Sequence, residues 1–312
     1  MLGRRRVLLL GALMTAVAGA SAVPAIADAS PGFRVVDLGL GDNSEAHAIN
    51  DRGHVVGQRD SRPFLWRDGQ VTDLLPAGEF GNATDINNND EVVGDRNGRA
   101  FLWRRGVLTD LGTLPGGSNS FATAINDRGD IVGSSNTALG PRAFRWRDGV
   151  LTDLGIIPGE FNYSRAYDIN KFGVVVGESG FFNTVAVRWR NDAIQPLTDQ
   201  FTTAVTINDH GDIAGYYQAG IPRGFLWHRG ELTEIPGPPG VMFFRPKAMN
   251  DRRQIVGGTD AEAFLWQRGQ LTLLPQLVST SGAQDINDRG QIVGFSSVRT
   301  DGLNYHAVLW TR

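Results

Sequence analysis

The residues of this chain able to do chemistry are a few acids, two histidines and a set of arginines beside aromatic rings. Asp85, Asp168 and Asp285 each stand two residues before the Asn of an Ile-Asn pair, at equivalent points of a recurring pattern. Carboxylates brought together with split pKa values could serve as general acid and base, or hold Ca²⁺. The plainer alternative is that each carboxylate accepts backbone N–H groups from a neighbouring loop. On the catalytic reading the candidates are Asp168, Asp285, His47 and His306. A second group suits recognition instead: Tyr163, Arg165, Phe182, Tyr217, Arg223, Phe244, Arg245, Arg299 and Tyr305. Flat rings beside guanidinium groups bury much area at small entropic cost, which suits sugars and protein partners.

Several chemistries are missing. There is no cysteine, so no thiolate nucleophile, thiolate metal site or disulfide framework is available. The five histidines, at 47, 54, 210, 228 and 306, follow no zinc spacing, and no metal or other cofactor is expected. Asn87-Asn88-Asn89-Asp90-Glu91 lacks the alternation and central glycine of a calcium loop. Neither a nucleophile elbow nor a phosphate-binding or dinucleotide-binding glycine loop occurs.

The elements that must position these residues repeat along the chain. Ile-Asn, or Met-Asn once, ends at Asn50, Asn87, Asn126, Asn170, Asn208, Asn250 and Asn287, with spacings of 37, 39, 44, 38, 42 and 37. A glycine follows each Asn after seven residues, and one tryptophan follows each glycine: Trp66, Trp103, Trp146, Trp189, Trp227, Trp266 and Trp310. A turn such as Arg67-Asp68-Gly69 then leads into a segment of the Leu108-Thr109-Asp110-Leu111 type. Each apolar piece is short, β-branched or aromatic and bounded by Gly, Asn or Asp, so each unit holds four strands. A period near 40 with four strands predicts a seven-bladed all-β propeller. The termini sharpen this: the last unit ends two residues after its tryptophan and lacks a fourth strand, while a spare strand at residues 34–39 precedes the first unit. If the spare strand completes the last blade, the ring closes without an open sheet edge and is expected to be a monomer.

Units such as Ala124-Ile125-Asn126-Asp127-Arg128-Gly129-Asp130-Ile131-Val132-Gly133, followed by Ala143-Phe144-Arg145-Trp146 and Leu151-Thr152-Asp153-Leu154-Gly155, resemble the HAF repeats of exported bacterial proteins. The resemblance spans residues 33–312 and implies an extracellular repeat protein without implying a reaction. The His-Ala-Phe of that name is replaced here by forms such as Arg142-Ala143-Phe144.

Residues 1–27 have the layout of a secretory signal: Arg4, Arg5 and Arg6, an apolar stretch from Val7 to Ala20, and Ala25-Ile26-Ala27 before Asp28. The apolar run is shorter than the ~20 residues that span a bilayer, so no stable membrane insertion is expected after cleavage. The arginine pair also fits a loose twin-arginine pattern. Without the three leader arginines, 27 basic and 33 acidic groups leave a formal charge of −6, unsuited to nucleic acid. Residues 28–312 are then one propeller domain, secreted or held at the cell envelope.

Antiparallel order places the invariant seven-residue Asn-to-Gly turns on one face of the disc. The other face collects the variable loops, with Gly-to-Trp intervals of 9, 9, 13, 12, 12, 9 and 16. Binding normally concentrates on such loops. The expected function is therefore a non-catalytic binding or scaffold role toward a glycan, cell-wall polymer or protein. The alternative is a lyase, hydrolase or cyclase with its site at the central-channel opening.

Overall fold

A computed structural model describes residues 26–27, 32–159, 163–180, 184–199 and 201–312. They form a seven-bladed β-propeller, each blade a four-stranded antiparallel sheet running outward from the axis as strands a to d. In blade 1 these are Ser44–Ile49, Val55–Arg59, Arg62–Arg67 and Gln70–Asp73. Blade 7 takes its a, b and c strands from Ser281–Ile286, Ile292–Ser297 and Tyr305–Thr311, and its d strand from Arg34–Asp37 near the start of the chain. Arg34 pairs with Thr311 and Asp37 with Val308, so the ring is latched by the spare strand, two residues shorter than expected. A two-residue strand, Ile26–Ala27, runs parallel to the outer strand of blade 6, Gln270–Leu273; it lies on the leader side of the expected cleavage point. The rest of the expected leader, residues 1–25, lies outside the described residues.

The apolar interior is a ring of seven clusters, each shared by two adjacent blades. Between blades 3 and 4, for example, Ala124, Val132 and Ala143 meet Ala166, Ile169, Val175 and Trp189, whose exposure is 1%. The motif tryptophans thus close blade-to-blade seams.

Why each unit carries Asn is equally physical. Asn126 Oδ1 accepts the N–H groups of Arg128 and Asp130, capping its own a–b turn. Its Nδ2 donates to the Asn170 carbonyl of the next blade at 3.1 Å. The same link runs Asn50→Asn87→Asn126→Asn170→Asn208→Asn250→Asn287 and returns to Asn50 at 3.0 Å. The circuit needs an acceptor and a donor on separate atoms of one short, neutral side chain, and that is an amide. A β-bulge recurs in every a strand, between the residues four and two before the Asn. It turns successive side chains toward the channel. Opposite it stands the motif glycine: a Cβ on Gly177 would lie 1.9 Å from the Arg165 carbonyl oxygen.

Candidate functional site

The bulges build the channel in tiers. The residues two before the Asn include all three axial aspartates. Asp168 accepts Ile169 N–H at 2.7 Å and, across the blade seam, Ile207 N–H at 2.8 Å. Asp285 does the same with Ile286 and Ile49, and Asp85 with Ile86 and Ile125. Each carboxylate is therefore tied to the inner strands of two blades. Burial raises the pKa of Asp168, and that of Asp285 to about 7, against the pull of these N–H bonds. Burial and the charge of Asp285 raise Asp85 as well.

Three before the Asn stand His47, Thr84, Thr123, Tyr167, Val205, Lys247 and Gln284. His47 Nδ1 bonds the Ala83 carbonyl at 2.9 Å, as Thr84 and Thr123 bond Ala122 and Ala166. Glu45 lies 3.5 Å from the other ring nitrogen of His47. His306 is elsewhere: it sits on strand c of blade 7, held by Asp37 at 2.6 Å and Asp42 at 2.9 Å. This corrects its expected place at the channel opening, because strand c lies two strands out from the axis. Burial works to lower its pKa, but the bonds to both aspartates outweigh this and raise it.

The clefts on the loop-rich face gather most of the expected binding residues. One, of about 480 Å³, is lined by Tyr163, Glu178, Thr184, Tyr216, Tyr217, Gln218, Phe243, Phe244 and Arg245, among others. A second, of about 400 Å³, occupies the channel mouth and shares Tyr216 and Arg245 with the first. A third, of about 410 Å³, shares Phe243 and Arg245 and reaches Tyr305. Together they make one basin across blades 4 to 7, with Arg245 common to all three. Guanidinium groups lie over rings throughout: Arg165 at 5.5 Å from the Tyr163 centroid, Arg223 at 4.1 Å from Tyr217, and Arg245 at 5.2 Å from Tyr216.

Two expected residues depart from this pattern. Phe244 is 2% exposed and stacks on Phe264 with centroids 4.5 Å apart, so it belongs to the blade 5–6 core and touches the cleft only as backing. It occupies the strand-a position where five other units have Ser or Thr. Arg299 is drawn into an exposed ion pair with Asp301 at 2.9 Å on the blade 7 hairpin. Phe182 lies outside the described residues.

Glu178, which the sequence did not single out, anchors the cleft floor. It is 6% exposed and its Oε1 accepts both Tyr163 and Tyr167 hydroxyls at 2.8 Å. Oε2 accepts Thr203 at 2.8 Å, Thr184 at 3.2 Å and Gln218 at 3.2 Å. Burial, then the Glu178 charge, pushes both tyrosines far above their ordinary range, so they remain hydroxyl donors. The available signal was an ionisable residue next to the motif glycine, where other units hold residues as varied as Ser134 and Phe295. Among the described residues no group of three His, Asp or Glu side chains is arranged to hold a metal.

Fold and site together define a β-propeller with an asymmetric, aromatic and cationic basin at one end of its channel. No family model and no curated protein matches the chain. Among solved structures it is similar to a streptogramin B lyase, at 12% identity and TM-score 0.65, covering 90% of this chain and 98% of that one. It is also similar to YCF48 bound to a D1 peptide, at 12% identity and TM-score 0.58, over 92% and 98% of the two chains. A third is the extracellular domain of a one-component system protein from B. thetaiotaomicron, at 10% identity and TM-score 0.55, over 89% of this chain and 39% of that one. Identities this low establish the propeller fold alone, which hosts both enzymes and binding domains.

Proposed function

We propose that this chain is an exported, non-catalytic binding protein whose loop-rich face, at blades 4 to 6, receives a glycan or cell-wall polymer. The observation behind it is the basin in which three clefts join at Arg245, two of them also sharing Phe243, which is 55% exposed. The axial carboxylates, by contrast, spend their acceptor capacity on backbone N–H groups of two blades, leaving the basin's rings and cations as the groups free to meet a ligand. Secretion accords with the leader-like first 27 residues and with the HAF-type units.

The test compares two double variants for retention on purified cell-wall material and for thermal shift with glycan fragments. Tyr217→Ala with Phe243→Ala should abolish retention in a protein that still unfolds cooperatively, while Asp127→Ala with Lys171→Ala on the opposite face should leave it intact. Equal behaviour of the two would overturn the assignment of the face. A second reading, acid–base catalysis at the mouth, draws on the Glu45–His47 contact at 3.5 Å. Turnover of a retained fragment that His47→Gln eliminates would favour it.

A further inference from the structure

The basin carries an unbalanced charge at its deepest point. Arg245 and Lys247 stand two residues apart on strand a of blade 6, Phe244–Met249, and both line the channel mouth. Among the described residues neither lies within ion-pair distance of a carboxylate; Arg245 is held only over the rings of Tyr216 and Phe243. Arg223, at the basin rim, is by contrast paired with Glu234 at 3.2 Å. Burial and then the charge of Arg245 lower the pKa of Lys247, with Glu45 opposing only weakly. A second cation beside a first, in a concave and partly desolvated mouth, costs free energy that an incoming anion would relieve. Of the two carboxylates lining the joined clefts, Glu178 is already screened by five neutral donors and Asp260 accepts the N–H groups of Met242 and Phe243.

The neighbouring groups narrow the class of anion. Asn82 lines the same mouth and brings a neutral side-chain amide to it, a hydrogen-bonding group suited to a ligand hydroxyl. Phe243 and Tyr216 offer ring faces between the joined clefts, suited to flat, hydroxyl-bearing rings in series.

Resting on the binding reading above, we infer that the channel mouth recognises a carboxylate-bearing oligosaccharide, its acid group held between Arg245 and Lys247 and a hydroxyl bonded to the Asn82 amide. The probe is an oligogalacturonate, with its fully methyl-esterified form as the uncharged twin and poly-glutamate as a charge-only competitor. Titration calorimetry on the purified protein should show the acid binding and the ester binding at least about tenfold more weakly. Lys247→Met and Arg245→Gln should each weaken the acid by about tenfold and leave the ester's affinity unchanged, while Lys247→Arg should retain it. Circular dichroism of each variant secures the fold. Equal affinity for acid and ester, with loss in Phe243→Ala, would overturn the anionic assignment and leave the binding face standing. Failure of the oligogalacturonate to bind overturns the inference, and so does poly-glutamate binding as tightly, which would reduce the mouth to a charge trap. Loss of cell-wall retention in the opposite-face variant, by contrast, overturns the binding reading itself.

Discussion

The two ends of the channel are made from the same repeat and differ in how strictly they follow it. At the a–b turn end all seven blades contribute the same amide, and the circuit closes on itself from Asn287 to Asn50. At the loop-rich end the equivalent inner-strand positions diverge: where blade 1 has Glu45 and His47, blade 6 has Arg245 and Lys247. Every blade must be joined to its neighbours, so the joining groups recur; a ligand needs one asymmetric surface, so recognition groups depart from the repeat. Deviation at a structurally equivalent position is therefore the more informative signal of function here.

The largest effect should come from breaking a seam between blades. Trp189→Ala, at the blade 3–4 seam, should cost about 3–5 kcal/mol in denaturant unfolding, as cavity formation in a core does. An unchanged midpoint would refute the seam packing. Next, Asn126→Ala opens the amide circuit and strips two turn N–H groups of their acceptor, for about 1–3 kcal/mol. Asn126→Asp, which keeps the acceptor and loses the donor, should cost less. If the aspartate variant were the worse of the two, repulsion with Asp130 would outweigh the lost cap.

A smaller effect separates the axial tier from both ends. Asp285 has its pKa raised to about 7 in the folded chain. The folded state therefore binds more protons than the unfolded state between the ordinary carboxylate range and about 7, and stability falls as pH rises through that window. Tm should drop by a few degrees from pH ~5 to pH ~8, at roughly 2–4 °C per kcal/mol for a chain of this size. His306, also raised, contributes stability that is lost as pH climbs through its folded pKa, adding to the same slope above the ordinary imidazole value. Asp285→Asn should flatten the lower part of the slope while lowering the plateau, since a single amide oxygen replaces two acceptors; an unaltered slope would remove Asp285 from the account. Smallest of all in stability is Phe243→Ala on the loop-rich face, within about 0.5 kcal/mol at a side chain 55% exposed. Phe244→Ala, by contrast, should behave as a core substitution at about 3–5 kcal/mol.

Much of the frame was legible in the chain before folding. The Asn-to-Gly interval, the single tryptophan per unit and the strand spare at one end and missing at the other specify a closed ring of seven blades, because each is a local or counting property. The site was legible only as composition. Tyr163, Tyr217 and Arg245 could be named because aromatics and arginines cluster in the later units, but Glu178 and Lys247 could not. Their importance arises from neighbours some 20 to 200 positions away: Thr203 and Gln218 reach Glu178 from blade 5, and Lys247, besides the charge of Arg245, feels that of Glu45 on blade 1. His306 illustrates the reverse, a suggestive residue that the sheet order carries away from the axis and seats between Asp37 and Asp42.

The amino-acid pattern by itself determined the repeat, the strand count and the latch, since strand propensity, turn chemistry and periodicity act over a few residues at a time. Tertiary structure alone decided that the axial aspartates bridge blades, that Phe244 turns into the core, and that three clefts merge around Arg245. These depend on which side chains ring closure and the recurrent bulge bring face to face, and neither burial nor charge balance exists until that closure has occurred.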